Sequence, residues 1–209
     1  MFSPYLPPLP PLPGEGEEYQ YRPAGRSIIS VLTDEHLQLE ALSAELLSSV
    51  PPRQDLADVV TAAVTKHLSA EEQYLYPAVE ALLPDGEQIV AEEIDHDTSI
   101  LRKLAMLETV QPPSRSFRDL AEAIDDELLR HGETCATRIF PRLSELASEA
   151  DLIRLGNRVE IAAEAAPTRP HPEVPNRPPW NKLTAPAIGM VDRLRDTVQR
   201  RKTSIEDLS

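Results

Sequence analysis

The prolines of this 209-residue chain are segregated, and their placement limits what it can fold into. Most of the 21 lie before Arg26 or between Pro167 and Pro186, and others mark short breaks at Pro51-Pro52, Pro84 and Pro112-Pro113. A proline ring removes a backbone donor and collides with the carbonyl four residues back, so helix interiors reject it. The stretches between the breaks are long, and each carries apolar residues at helical spacing. With only 7 glycines, a fold rich in tight β-turns is excluded. At 4% aromatic residues, the core must be built from Leu, Ile, Val and Ala.

Four runs follow. Residues 27–49 carry Ile28, Ile29, Leu32, Leu39, Leu42, Leu46 and Leu47 and end at Pro51-Pro52. Residues 54–83 carry Leu56, Val59, Val60, Val64, Leu68, Leu75 and Val79, with Pro77 predicted to kink the helix. Residues 87–109 carry Ile89, Val90, Ile94, Leu101, Leu104 and Leu107, and residues 114–147 carry Phe117, Leu120, Ile124, Leu128, Ile139 and Leu143. A short fifth helix is expected over 151–163, packed across one end. The spacing predicts an all-α fold, an antiparallel up-down four-helix bundle over residues 26–163.

Each long run holds one histidine: His36, His67, His96 and His131. The runs also repeat. An acid-His pair opens the first and third (Glu35-His36, Asp95-His96), and His-x7-aliphatic-aromatic-Pro recurs as His67 to Leu75-Tyr76-Pro77 and His131 to Ile139-Phe140-Pro141. Two similar hairpins packed together place equivalent groups face to face about an approximate two-fold axis. His67 and Glu71 lie one helical turn apart, as do His36 and Glu40. A neutral imidazole with a carboxylate that can bridge suits iron or manganese better than calcium, which takes oxygen ligands only. A lone histidine on an apolar stripe is more often a satisfied core residue than a ligand. Four of them at matched offsets, buried with carboxylates and no cation, would be costly.

With these motifs in hand the chain resembles a hemerythrin-like (HHE cation-binding) domain protein over about residues 27–163, and within that family the actinobacterial type with a Pro-rich C-terminal extension. The motifs are Asp34-Glu35-His36, His67-x3-Glu71-Glu72-Gln73-Tyr74-Leu75-Tyr76-Pro77, Asp95-His96, and His131 with Ile139-Phe140-Pro141. The resemblance implies an antiparallel bundle around non-haem iron, one or two ions, with His36, His67, Glu71, His96 and His131 at ligand positions and Glu40 at a position that is often acidic. It also implies handling or sensing of a small oxidant, either O2, peroxide or nitric oxide. The chain departs from the family pattern where a carboxylate four residues after the last histidine is replaced by Cys135, and where a second histidine after His96 is replaced by Ile100. Three outcomes follow: a single iron held mainly by the first hairpin; two ions with the Cys135 thiolate, the Tyr74 phenolate or water in the gap; or an empty structural bundle. The competing function class is a metal-free helical interaction module acting through its tails.

The flanks read differently from the bundle. Residues 1–25 are expected to be a disordered, Pro-rich tail, and their PxxP spacing makes them a candidate for docking to a protein partner. Residues 164–209 are expected to form a Pro-rich linker containing His171 and a basic amphipathic helix over 186–202. That segment holds eight Lys and Arg against three Asp and Glu over 168–202, in a chain of net charge −14, so a tail drawn to an acidic bundle is the plainest reading. The net charge argues against nucleic-acid binding, and no segment has the length and apolarity of a membrane span. With one cysteine and no secretory leader, a cytoplasmic location is expected.

Overall fold

The computed structural model describes residues 23–172 and 180–208; the expected tail falls almost wholly outside the described residues. Every regular element among them is helical. Helix α1 (Ile28–Ser48) begins where the Ser27 hydroxyl accepts from the Ser30 amide, one of the amides a helix start leaves unpaired. Ser114 does the same for Phe117 at the start of α5 (Arg115–Thr134), and Ser148 for Asp151 at the start of α7 (Glu149–Ala165).

The second and fourth runs change their helical form at Pro77 and Pro141. They widen just before them. Helix α2 (Gln54–Ala70) passes into a π-helical turn, Glu71–Leu75, and then α3 (Tyr76–Leu82). Helix α5 passes into the π turn Cys135–Ile139 and then α6 (Phe140–Leu146). The Tyr76 amide donates to the Glu71 carbonyl and the Phe140 amide to the Cys135 carbonyl, each five residues back. The wider turn makes room for the ring of Pro77 or Pro141 at the start of the next helix. It also puts Glu71 and Cys135 at equivalent places, each first in its π turn.

Packing shows the topology directly. One apolar cluster holds Ile28, Val31 and Leu32 of α1, Leu75, Tyr76 and Val79, Ile89 and Val90 of α4 (Gly86–Leu107), and Ile139, Phe140 and Leu143. The other holds Leu39, Leu42 and Leu46, then Leu56 to Leu68, Ile100 to Leu107, and Phe117 to Leu128. The chain visits them in the order first, second, second, first, first, second, second, first. Successive long helices therefore run in opposite directions. His36, His67, Glu71, His96 and His131 fall where the two clusters meet, so a polar layer crosses the bundle at that level.

Helix α7 packs against α1, α2 and the first π turn, and Gly156 lets it approach the α1 start to a distance any side chain would fill. The stretch after α7 corrects the expectation of a solvated linker. Thr168 and Arg169 are buried, the Thr168 hydroxyl donates to Asp196, and His171 Nε2 lies 2.9 Å from Asp192 Oδ2. Helix α8 (Trp180–Gln199) supplies both aspartates and begins earlier than expected, with Pro186 inside it. It stops at Arg200, whose positive φ of 54° ends the helical path. Arg201, 4% exposed, then reaches Glu108 at 2.9 Å, and Lys202 reaches Asp55 at 3.1 Å. The basic segment thus docks on acidic residues of the bundle. Arg201→Ala takes one of two guanidinium groups from Glu108 and Asp196, leaving them Arg169 alone. Faster amide exchange across α8, with α1 to α5 still protected, is the expected result by hydrogen-exchange mass spectrometry.

Candidate metal centre

The polar layer is assembled by four helices and one π turn. Glu71 sits at its middle, fully buried. Its Oε1 lies 3.5 Å from His36 Nε2 and 3.5 Å from His67 Nε2, and its Oε2 lies 3.0 Å from His131 Nε2. The three rings have centroids 4.7 to 5.6 Å apart and meet edge to face. Phe140 stacks on His36 and closes that side. One ligand atom from each of His36, His67, Glu71 and His131 falls within 4.8 Å of the others, and all four residues are buried.

The nitrogens and oxygens facing this point are His36 Nε2, His67 Nε2, His131 Nε2 and both Glu71 oxygens. Each is buried without a hydrogen-bond partner. Orphaned polar atoms at such depth are costly unless something satisfies them. A cation fits, because the set offers lone pairs and one negative charge, and among the described residues no ammonium or guanidinium pairs with Glu71. Imidazole with carboxylate is the donor set of iron, manganese or zinc. Outside the first ring of contacts, Glu35 Oε2 lies 2.8 Å from His67 Nδ1, the type of support that orients a ligating histidine.

The electrostatics describe a site awaiting positive charge. Burial opposes ionisation of Glu71, yet the His67 and His131 rings around it hold its carboxyl well below the usual range. Burial also opposes charging His131, but the Glu71, Glu93 and Asp97 carboxylates raise it well above 6.5. His36 is lowered, chiefly by burial. A cation ligated by His131 competes with the proton that these carboxylates favour on that ring. Because the two compete, cation affinity falls as pH is lowered through the neutral range. About tenfold per pH unit is expected for one displaced proton, read by chelator competition between pH 6 and 8.

Asp97 and Glu72 extend the layer. Burial pushes Asp97 up to about 7, and burial with the Asp97 and Glu71 charges raises Glu72 as well. The Tyr76 hydroxyl donates to Asp97 Oδ2 at 2.5 Å. Tyr76 is thus the tyrosine in the layer, whereas Tyr74, the phenolate the spacing suggested, packs at the edge of the first apolar cluster. Asp97 and Glu93 carry a signal that the reading of the motifs passed over: Glu93 stands three residues before His96 and so shares its helix face.

The other residues expected at the site are placed as follows. His96 lies with Glu93 and His131 in a second group of ligand atoms within 4.8 Å of one another. Glu40 and Cys135 fall in neither group. Glu40 lies one turn beyond His36 on α1, with its Oε1 at 3.2 Å from where a Cβ on Gly132 would be. Cys135 is fully buried, and burial with the Glu71, Glu93 and Asp97 charges raises its thiol well above 9.0. Ile100 is packed in the second apolar cluster.

A cavity of about 220 Å³ reaches the layer from one side. Glu35, Lys66 and His67 line it, and Thr203, Ser204, Ile205 and Glu206 form its far wall.

The family follows from comparison with known proteins. The chain belongs to the hemerythrin family: the sequence model of the hemerythrin HHE cation-binding domain matches residues 27–143, more than half of its length. Over 138 residues it is 22% identical to an uncharacterized hemerythrin-like protein of Schizosaccharomyces pombe, covering 66% of this chain and 68% of that protein. Over 126 residues it is 25% identical to a protein of Nostoc sp. named a DNA nickase, covering 59% of this chain and 35% of that protein. No solved structure matches the chain. Among the described residues, no helix is long and apolar enough to cross a membrane.

Proposed function

We propose that this chain is a non-haem iron protein that handles or senses a small oxidant (O2, peroxide or nitric oxide) at the bundle-core layer. One observation carries the reading: three imidazoles from three helices converge on both oxygens of one buried carboxylate, and none of those atoms has another partner. His36, His67, Glu71 and His131 would hold the ion, and the ion would supply redox capacity and an electrophilic centre for a small ligand. The chain's own residues do the rest. Glu35 orients the His67 ring through Nδ1. Phe140 and the two apolar clusters exclude bulk water. The cavity bordered by His67 and its partner Glu35 is wide enough for a diatomic molecule or peroxide.

Anaerobic reconstitution with ferrous iron, followed by exposure to O2, hydrogen peroxide or nitric oxide, tests this. A ligand-dependent change in the near-ultraviolet and visible spectrum supports it. An iron-loaded protein whose spectrum ignores all three sinks the oxidant reading.

A further inference from the structure

Helix α8 turns its polar face inward. Val191, Leu194 and Val198 recur along it at helical spacing, and such a stripe ordinarily faces a core. Here the inner face is Gly189, Asp192 and Asp196. Gly189 passes so close to the Ala165 carbonyl that a Cβ would meet it at 2.4 Å. The two aspartates, each 3% exposed, take up Thr168, Arg169 and His171 of the preceding stretch. With these groups filling the inner face, the stripe is left outside. Met190, Val191, Leu194 and Val198 are 63 to 84% exposed. Arg193, Arg195 and Arg200 are exposed as well. The outer surface is therefore apolar and cationic, and both acids of the described part of the helix lie inside.

A continuous apolar row of this kind marks a contact surface, unlike single apolar residues scattered over an exterior. An occupant that matches it brings regularly spaced apolar side chains and negative charge. Residues 1–22 of this chain, which lie outside the described residues, have both in their sequence. Leu6, Leu9 and Leu12 recur at every third position within the proline run. A polyproline II path has three residues per turn, so it would carry the three leucines along one edge. Glu15, Glu17 and Glu18 follow, and no Lys or Arg precedes Arg22.

The point of attachment lies near α8. Pro23 is buried, and the Ala24 carbonyl accepts from Asn157 Nδ2 of α7 at 3.0 Å. Asn157 is about 12 Å along α7 from Ala165, whose carbonyl lies against Gly189 of α8. The chain between Leu12 and Pro23 can span up to about 33 Å, so the leucines can reach the row. We propose that residues 6–18 bind across the outer face of α8, with the three leucines on its apolar row and the three glutamates beside its arginines. The Pro-rich segment is then taken up by its own chain, and α8 is held from both sides. A short tether gives the segment an effective concentration of about millimolar, so a contact too weak to hold a separate peptide suffices.

The test reads methionine oxidation. Met190 is 63% exposed and Met106 of α4 is 56% exposed, so one chain carries both the probe and its reference. The full-length chain is pulsed with hydroxyl radicals at several protein concentrations, and the peptides are read by mass spectrometry. The wild type is compared with a variant combining Leu6→Ser, Leu9→Ser and Leu12→Ser. These positions lie outside the bundle, so the variant is expected to fold, and circular dichroism melts check it. Met190 is expected to oxidise several-fold more slowly than Met106 in the wild type at every concentration, and at a similar rate in the variant. Similar rates in the wild type overturn the inference, because the face is then open. Protection that survives in the variant overturns it as well, and so does protection lost on dilution, which makes the occupant a second copy of the chain. The readout does not involve the metal layer, so it stands or falls separately from the proposed function.

Discussion

Glu71→Ala abolishes iron binding, and His171→Ala leaves it unchanged. Among the described residues, Glu71 is the one whose carboxylate approaches His36, His67 and His131 together, from 3.0 to 3.5 Å. Removing it takes away the carboxylate that all three rings face, so a cation placed there would lose the counter-charge nearest to it. A loss well above about 100-fold is expected, beyond what displacing a supporting group alone produces. His171 is the control. It is a histidine with an aspartate partner at 2.9 Å, but that partner is Asp192 on α8, away from the layer. Metal analysis after iron-supplemented expression separates the two outcomes. Equal loss from both variants would mean that the binding is non-specific and the layer is not the site.

The second large effect is on stability. Chelating the metal from the loaded protein lowers the melting temperature by on the order of 10 °C. A ligand at about 1,000 times its dissociation constant stabilises the state that binds it by about 4 kcal/mol, and for a domain of this size each kcal/mol moves the midpoint by about 2–4 °C. The burial of the layer is the physical source. Without a cation, Glu71, Glu93 and Asp97 surround His131 with more negative than positive charge, and burial already pushes Asp97 up to about 7. With a cation, the orphaned nitrogens and oxygens gain their partner. Differential scanning calorimetry of loaded and chelated protein measures this. A shift of under about 2 °C would show that the layer is satisfied without metal.

Much of this centre was legible in the order of residues. Histidines at 36, 67, 96 and 131, one on each apolar stripe, can meet only if the stripes face one another, and a bundle is what makes them do so. The repeated His-x7-aliphatic-aromatic-Pro element marked both proline positions. It did not show that the helix would widen into a π turn there, because period counting assumes 3.6 residues throughout. Tyr74, seven residues and so two turns after His67, was a candidate phenolate on that assumption. The extra residue in the turn brings Tyr76 to Asp97 instead. His171 and Arg169 looked like parts of a solvated linker because their partners Asp192 and Asp196 lie more than 20 residues on, at no readable spacing.

The sequence by itself determined the helices, their order and the four imidazoles, since these follow from local periodicity and from where proline forbids a helix to continue. Only the tertiary structure decided which carboxylates join them. Glu93 and Asp97 are unremarkable acids along α4, and they become parts of the layer because α5 packs beside α4 and turns His131 toward them. Whether a charge is buried beside another is set by the packing of distant segments, which no spacing within one helix records.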